Sequence, residues 1–400
     1  MNHPTRVLVL NSGSSSVKYQ LIDMASGDRP AGGVVERIGE RTGALVHRTP
    51  GDGKRRTERP FADHTAALGA VAEELSADGL GLDSPELAAI GHRVVHGGTR
   101  FTRPTWITDE VLDTLRELVP LAPLHNPANI TGIEVARRLR PDLPQVAVFD
   151  TAFHATMPEH AWRYAVDRET ADAYGVRRYG FHGTSHQYVS RRCAELLGRP
   201  PEAVNAIVLH LGNGASASAV RGGVCVETSM GLTPLEGLVM GTRSGDLDPA
   251  VIFHLRREAG MSLDEIDTLL NRRSGLIGLC GENDMREIGR RIAEGDADAR
   301  LAFDVYTHRL RKYVGAYVAV LGRVDVLAFT AGVGENSAAV REAVAGGLGG
   351  LGIELDPDRN VLRGDAPRLV SAATSRVAVA VVPTDEEWEI ASQSYALVTS

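Results

Sequence analysis

The segment "VLVLNSGSSSVKYQLID" (Val7–Asp23) carries the strand–turn–strand pattern on which the fold prediction rests. An apolar run reaches Asn11, breaks into Ser-Gly-Ser-Ser-Ser and resumes as an alternating run, which predicts two strands joined by a polar turn. The turn is either an ordinary hairpin or a loop whose N–H groups and hydroxyls bind phosphate. It lacks Walker A spacing, and no helix follows as in a Rossmann fingerprint. The turn alone leaves both interpretations open.

A second segment repeats this plan about half a chain later. Residues 206–220, "AIVLHLGNGASASAV", again give an apolar strand, a Gly-rich turn and an alternating strand, and residues 329–337, "FTAGVGENS", form a third Gly-rich turn. Helical patterns such as "TDEVLDTLRELVPLAP" (108–123) alternate with the strands. Strands are predicted at Val7–Asn11, Val17–Asp23, Leu87–His92, Val146–Asp150, Ala206–Leu211, Asp325–Ala331 and Val377–Pro383. The alternation predicts an α/β protein, and the repeated plan predicts two related halves.

Composition narrows the classes of function. The chain has 400 residues, 43% hydrophobic and 24% charged, with a net charge of -8, which is typical of a globular protein of one to three domains. This charge favours small-molecule partners over nucleic acid or a membrane surface. Cys193, Cys225 and Cys280 are too far apart in sequence for a CxxC pair, and the first residues lack secretory features. We therefore expect a cytoplasmic protein.

Polar and charged groups cluster in Gly-rich loops where predicted strands end. Each cluster alone reads as structural, but several together favour an active site. The acidic stretch "PTDEEWEIA" reads either as ordinary helix-start acids or as a carboxylate that helps to hold Mg²⁺. The sequence has no HExxH, zinc spacing or GxSxG, so the combination fits phosphoryl transfer. The clusters are "GHRVVHGG", "APLHNPAN", "VFDTAFH", "RRYGFHGTSH" and "MGTRSGDLDP".

The long motifs "RRYGFHGTSH", "HLGNGAS" and "MGTRSGDLDP", with the first and last segments quoted above, resemble the acetokinase family over nearly the whole chain. The resemblance implies two RNase H-like domains of the acetate and sugar kinase/Hsp70/actin type, with an active-site cleft between them. Residues 1–150 plus 384–400 would form the domain with the first phosphate loop, and residues 151–383 the nucleotide-binding domain. It also implies a homodimer.

The activity implied by the resemblance is reversible, Mg²⁺-dependent, in-line phosphoryl transfer from ATP to acetate, which gives acetyl phosphate and ADP; Mn²⁺ would substitute for Mg²⁺. Arg93 and Arg243 would bind the carboxylate and the phosphoryl group. His182, supported by His125, would stabilise the transition state, and Asp150 would orient the reacting groups. Because acetate is already ionised at neutral pH, no strong general base is needed. The metal would be positioned by Asn11 and Glu386.

The resemblance also assigns nucleotide contacts in four segments. Two departures from the family pattern, Ser12 in place of a common alanine and Trp388 in place of a smaller aliphatic residue, remove no proposed functional group. The implied nucleotide-binding residues are Ser14, Ser16 and Lys18, then His210, Leu211, Gly212, Asn213 and Gly214, then Asp284, Met285 and Arg286, and finally Gly332, Val333, Gly334, Glu335 and Asn336.

The acyl methyl group would meet an apolar pocket of Val95, Leu124, Phe181 and Pro234. Propionate kinases of the family tend to have alanine at the position of Val95, so valine there favours acetate, with some propionate turnover. The alternative is that Val95 is simply part of a strand core. Propionate kinase remains an alternative function, and so does an ATP-binding switch that transfers no phosphoryl group.

Overall fold

The computed structural model describes residues 4–51 and 53–400, and the chain divides into two compact units. Unit 1 comprises the chain up to residue 153 together with 385–400, and unit 2 comprises residues 154–384. No helix among the described residues is long and apolar enough to cross a bilayer.

Unit 1 is built on one mixed sheet with helices on its faces. Its strands are β1 (Arg6–Ser12), β2 (Ser16–Asp23), β3 (Ala31–Glu36), β4 (Gly43–Thr49), β5 (Gly53–Arg59), β6 (Leu87–Val94), β7 (Thr105–Trp106) and β8 (Gln145–Phe149). Its helices are α1 (His64–Ala77), α2 (Asp109–Glu117), α3 (Asn126–Leu139) and α15 (Glu386–Thr399).

Unit 2 has a second mixed sheet and a larger set of helices. Its strands are β9 (Asn205–Leu211), β10 (Ala215–Arg221), β11 (Val224–Thr228), β12 (Val326–Thr330), β13 (Arg368–Leu369) and β14 (Ala378–Val381). Its helices are α4 (Glu159–Trp162), α5 (Arg168–Tyr174), α6 (Gly183–Leu196), α7 (Ala250–Glu258), α8 (Leu263–Arg272), α9 (Gly275–Cys280), α10 (Met285–Ala293), α11 (Ala297–Leu321), α12 (Ala331–Asn336), α13 (Ala338–Ala345) and α14 (Pro357–Val361).

The central strands of the two sheets share one topology. Unit 1 has the order β5-β4-β3-β2-β1-β6-β8-β7, and unit 2 has β11-β10-β9-β12-β14-β13. In both, an antiparallel hairpin (β1–β2 or β9–β10) is followed by two parallel strands (β6 and β8, or β12 and β14). The repeated sequence plan thus has a structural counterpart, and the predicted α/β class with two RNase H-like halves is confirmed.

Alternation along β1 assigns its two faces. Val7 and Val9 pack with Ile390 of α15, whereas Leu8 and Leu10 face the core on the side of α1 and α3. The helix predicted over 108–123 is shorter than expected, because α2 ends at Glu117. Pro120 lies in a short 3₁₀ turn beyond it, and proline cannot supply the N–H that would continue an α-helix.

The end of β1 packs directly against α3. Ser12 is 4% exposed, and its hydroxyl is buried without a hydrogen-bond partner in the described chain. A Cβ on Gly132 of α3 would lie 2.1 Å from Ser12 Oγ, so glycine is required for this close approach. Ser12 therefore buries a polar group that contributes no hydrogen bond.

We expect Ser12→Ala to raise the free energy of unfolding by about 1 kcal/mol, because the buried hydroxyl carries a desolvation cost without compensation. Denaturant unfolding of the two proteins measures the change. Ser394→Ala is the matched control in the same unit, since the Ser394 hydroxyl is also buried but donates to the Ile390 carbonyl at 2.7 Å. A gain of similar size in the control, or a loss in Ser12→Ala, would contradict the assignment.

Candidate active site

In unit 1, an arginine and an aspartate meet where two parallel strands end. Arg93 is the penultimate residue of β6, and Asp150 directly follows the neighbouring strand β8. Arg93 Nε lies 2.9 Å from Asp150 Oδ1 and Arg93 Nη2 lies 2.8 Å from Oδ2, a bidentate fork. Asp150 is 2% exposed. The fork gives the buried carboxylate a charged partner and fixes the guanidinium plane.

Glu386, the first residue of α15, adds a second acid to this group. Its Oε2 lies 3.4 Å from Arg93 Nη1. Burial alone would lower the pKa of Arg93, but Asp150 and Glu386 outweigh it and raise that pKa above its ordinary value. Arg93 therefore remains a cation at any physiological pH. Asp385 caps α15 by accepting a hydrogen bond from the Trp388 N–H at 3.0 Å, and it also pairs with Arg29.

Two asparagines of α3 hold the adjacent strand ends. Asn129 Oδ1 accepts from the Val95 N–H at 3.1 Å, and its Nδ2 donates to the Ser12 carbonyl at 2.7 Å, so it joins the ends of β6 and β1. Asn126 exchanges two hydrogen bonds with the backbone of His96. The sequence analysis missed Asn129. Its signal was a second buried amide, three residues after Asn126, on an otherwise apolar helix face.

The first predicted phosphate loop is an exposed turn whose backbone carbonyls are hydrogen-bonded to neighbouring residues. Ser14 is exposed, while the Gly13 carbonyl accepts from the His64 ring at 2.8 Å and the Ser15 carbonyl accepts from the Ile38 N–H at 3.0 Å. These contacts fix the backbone and leave Ser14 accessible to solvent. Ser16 begins β2 and is partly exposed.

Asn11 and Lys18 are direct partners in the β1–β2 ladder, so their side chains share the sheet face that α15 covers.

His125 directly precedes α3 and is partly buried. Leu124 is 57% exposed. Unit 1 thus closely joins Arg93, Asp150 and Glu386, with the remaining predicted residues arranged around their strand ends.

In unit 2, His182 and Arg243 converge on the Gly-rich turn after β9. A Cβ on Gly214 would lie 3.4 Å from Arg243 Nη1 and 3.6 Å from His182 Nε2. His182 precedes α6 with a φ of 56°, a left-handed conformation rare for residues with a side chain. Its ring stacks on His210 with centroids 4.3 Å apart. The predicted catalytic pair and the second predicted nucleotide loop therefore lie together.

Arg243 differs from Arg93 in having no acidic partner. Its Nη1 donates to the Pro234 carbonyl at 3.2 Å, and no carboxylate among the described residues lies within ion-pair distance. Burial lowers the pKa of Arg243. A partly buried guanidinium without a counter-ion, beside a glycine turn, is suited to bind an anion.

The predicted nucleotide segments adjoin one another within unit 2. The Asn213 carbonyl accepts from the Gly241 N–H at 2.9 Å, and Asn283 Nδ2 lies 3.4 Å from Asn213 Oδ1. Asp284 follows as the N-cap of α10 and forms a fork with exposed Arg286, while Met285 is buried. A Cβ on Gly212 would lie 4.0 Å from the Cβ of Ala331, which begins the third loop, and Leu211 ends β9 in the core.

The third loop forms the short helix α12, with Gly332, Val333, Gly334 and Asn336 in it. A buried arginine that the sequence analysis missed, Arg341, holds its end by donating to the carbonyls of Gly334 and Glu335 at 2.8 and 3.0 Å. Arg341 is 2% exposed, and burial lowers its pKa to about 10. Its partners are mainly backbone carbonyls, which leave no pattern in the sequence. The Glu335 carboxylate accepts from the Thr384 N–H at 3.1 Å.

The four residues predicted to contact an acyl methyl differ in exposure. Val95 lies one residue beyond β6 and is partly exposed, whereas Val94 is fully buried in the core. Phe181 is 2% exposed in unit 2, and Pro234 is partly exposed beside the Arg243 guanidinium.

The oxygen donors of unit 1 fit a metal that is only partly coordinated by protein. Among the described residues, no three His, Cys, Asp or Glu side chains cluster as a metal cage. Glu386 and Asn11 offer a carboxylate and an amide oxygen. Mg²⁺ commonly uses one or two such ligands together with water and substrate phosphates. A carboxylate and an amide oxygen are therefore ligands of the type that a divalent metal ion accepts.

Comparisons with known proteins agree on one family. The model described as the Acetokinase family matches residues 6–392. A protein named acetate kinase from Streptomyces coelicolor is 72% identical over 99% of this chain and 97% of its own. The crystal structure of Porphyromonas gingivalis acetate kinase superposes with a TM-score of 0.93 at 46% identity, covering 98% of this chain and 100% of that one. A propionate kinase structure from Francisella tularensis gives a TM-score of 0.92 at 40% identity, covering 97% and 98%.

Two buried histidines of unit 2 lead to a prediction about how the stability of the protein depends on pH. His154 and His186 are fully buried, and burial lowers the pKa of His154 to about 4 and that of His186 well below its ordinary value. Between pH 6.5 and 4 the unfolded chain binds more protons than the folded one. The free energy of unfolding should therefore decrease, as the pH is lowered, by about 1.4 kcal/mol per pH unit for each such histidine. Denaturant unfolding at several pH values should show a smaller slope for His154→Gln.

His308→Gln, at an exposed position on α11, is the matched control and should leave the slope unchanged. Equal slopes in the wild type and in His154→Gln would contradict the proton linkage assigned to His154.

Proposed function

The chain belongs to the acetokinase family, and from that premise we propose that it is an acetate kinase, which reversibly transfers the γ-phosphoryl group of ATP to acetate and forms acetyl phosphate and ADP. The observation that supports this most directly is Arg243. Its guanidinium is partly buried, has no carboxylate partner in the described chain, and lies with His182 against the Gly-rich turn at Gly214. An environment of this kind suits the binding of a phosphoryl group while it is transferred.

The proposed chemistry in unit 2 is charge stabilisation. The Arg243 fork would hold the transferring phosphoryl group, and the His182 ring would donate to its equatorial oxygens. Because both groups are held before substrate binds, little reorganisation is needed during the reaction. The turns at 210–214 and 332–336, with residues 284–286, would bind the nucleotide through backbone N–H groups and polar side chains.

In unit 1, Arg93 would bind the carboxylate of acetate or the oxygens of acetyl phosphate. Asp150 would act by orienting the Arg93 guanidinium rather than by removing a proton, since acetate is already ionised at neutral pH. His125 would assist in binding. Ser14, Ser16 and Lys18 would contact phosphate. Asn11 and Glu386 would help to hold Mg²⁺, with Mn²⁺ as a substitute, and the ion would neutralise charge on the nucleotide phosphates.

A propionate kinase is the second candidate, because one structural relative carries that name. Acetate is favoured, because the curated relatives at 72% identity are named acetate kinases and because valine at position 95 would limit the space for a longer acyl chain. A switch protein that only binds ATP would have no need for Arg93, His182 and Arg243 together.

We further propose that the chain acts as a homodimer in the cytoplasm. Helix α7 supports pairing, because none of its residues is buried although it carries Val251 and Phe253, which is 59% exposed. Leu263 on the contacting helix α8 is 61% exposed. An apolar surface of this kind is more stable when a second copy covers it.

The first test of the function is acyl phosphate formation from ATP, Mg²⁺ and acetate, trapped as the hydroxamate. We expect Arg243→Ala and Arg93→Ala to lower kcat/KM at least about 100-fold, because each removes a charge-assisted contact to the reacting groups. Unfolding must be measured for Arg93→Ala, since it leaves the buried Asp150 carboxylate without its cation. Arg168→Ala, at an exposed position on α5, is the control. Near-normal turnover in both site variants would rule out this assignment.

Acyl-chain selectivity tests Val95. We expect Val95→Ala to raise the kcat/KM ratio of propionate to acetate by about 10-fold, because a methylene in such a pocket is worth about 1–3 kcal/mol. Val94→Ala removes the same atoms from the adjacent buried core position, so it should cost stability and leave the ratio unchanged. Equal ratios in the wild type and Val95→Ala would assign Val95 to packing alone.

A further inference from the structure

A chain of hydrogen bonds runs from His182 into the core of unit 2. Ser216 Oγ lies 2.8 Å from His182 Nδ1 and 2.7 Å from His186 Nε2. His186 Nδ1 in turn lies 2.8 Å from Ser218 Oγ. Ser216, Ser218 and His186 are all fully buried. The chain therefore links a candidate catalytic side chain to three residues that have no place in the proposed chemistry.

Regular geometry produces this alignment. His182 and His186 are separated by one helical turn at the start of α6, a rise of about 6 Å. Ser216 and Ser218 point to the same face of β10 and are separated by about 6.6 Å. The two spacings nearly match, so each serine hydroxyl lies opposite a histidine. Ser216 Oγ contacts both rings, and Ser218 Oγ contacts that of His186.

The number of available protons determines which group donates in each of these hydrogen bonds. Burial keeps His186 neutral by lowering its pKa, so its ring has one N–H and one acceptor nitrogen. Among the described residues, the one hydrogen-bond partner of the Ser218 hydroxyl is His186. If Ser218 donates, His186 Nε2–H donates to Ser216 and Ser216 donates to His182 Nδ1. In the reverse order the Ser218 hydroxyl hydrogen would be buried without an acceptor, which is unfavourable.

We infer that Ser216, oriented by His186 and Ser218, is a positioning residue that holds His182 as the neutral tautomer with its proton on Nε2. This inference rests on the proposed phosphoryl transfer. The Cε1 and Nε2 atoms of His182 face Gly214, since a Cβ there would lie 3.5 and 3.6 Å from them and 3.4 Å from Arg243 Nη1. A proton on Nε2 lets His182 donate to an anionic oxygen, whereas a lone pair there would repel it.

The tautomer can be read directly by two-bond ¹H–¹⁵N correlation of the histidine rings in the full-length protein, with His182 assigned by its absence in His182→Gln. We expect Nε2–H in the wild type. In Ser216→Ala and Ser218→Ala we expect a mixture of tautomers, because each variant removes the preference for one direction. Ser216→Thr keeps the hydroxyl and should keep the wild-type pattern. Ser229→Ala is the control, since Ser229 is buried and its Oγ bonds the neighbouring Ala217 N–H.

Kinetics add a second measurement. We expect Ser216→Ala to lower kcat about 10-fold and Ser218→Ala about threefold, with KM for ATP and acetate unchanged within about twofold, since neither serine is proposed to contact substrate. A wild-type His182 protonated at Nδ1, or a Ser216→Ala protein with the wild-type tautomer and kcat, would overturn the inference. If the wild type formed no acetyl phosphate but the tautomer changed as expected, the proposed function would fail and the hydrogen-bond order would be supported.

Discussion

The parallel pairing of strands is the constraint from which the candidate site follows in each unit. Neighbouring parallel strands end at the same edge of a sheet, so residues far apart in sequence meet there without any local signal between them. In unit 1 this brings Arg93 beside Asp150, at the ends of β6 and β8. In unit 2 it brings the turn after β9 beside the start of α12, at the end of β12. The hairpins β1–β2 and β9–β10 then supply the Gly-rich turns at these edges.

Arg93 of unit 1 and Arg243 of unit 2 have opposite electrostatic surroundings. Arg93 has two acidic partners, Asp150 and Glu386, so its charge is offset and its orientation is fixed before any ligand binds. Arg243 is partly buried beside the Pro234 carbonyl and has no acidic side chain as a partner among the described residues. An unbalanced, partly desolvated cation attracts an anion more strongly than a paired one. The difference agrees with the roles proposed above, in which Arg93 would position the substrate and Arg243 would stabilise charge during transfer.

Local backbone strain coincides with these positions. Non-glycine residues in the described chain with left-handed φ are Arg37, His182 and Ala331, and the last two adjoin the predicted nucleotide turns. Such conformations persist where surrounding contacts determine them. For His182 those contacts are the stacked His210 ring and the Ser216 hydroxyl; for α12, which Ala331 begins, Arg341 holds the opposite end. The contacts of the His182 ring with His210 and Ser216 thus help to maintain a backbone conformation that is otherwise unfavourable.

The sequence by itself determined the fold class, because alternating apolar runs and a repeated strand–turn–strand plan follow local periodicity. It also determined the family, and it located Arg93, Asp150, His182 and Arg243 at strand ends or in Gly-rich loops. Only the tertiary structure decided which groups are paired. The bond from Asn129 to Ser12, the contact of Gly132 with Ser12 and the carbonyl contacts of Arg341 all join residues without a shared local pattern. Periodicity reports which face of an element is buried, whereas hydrogen-bond partners depend on how separate elements pack against one another.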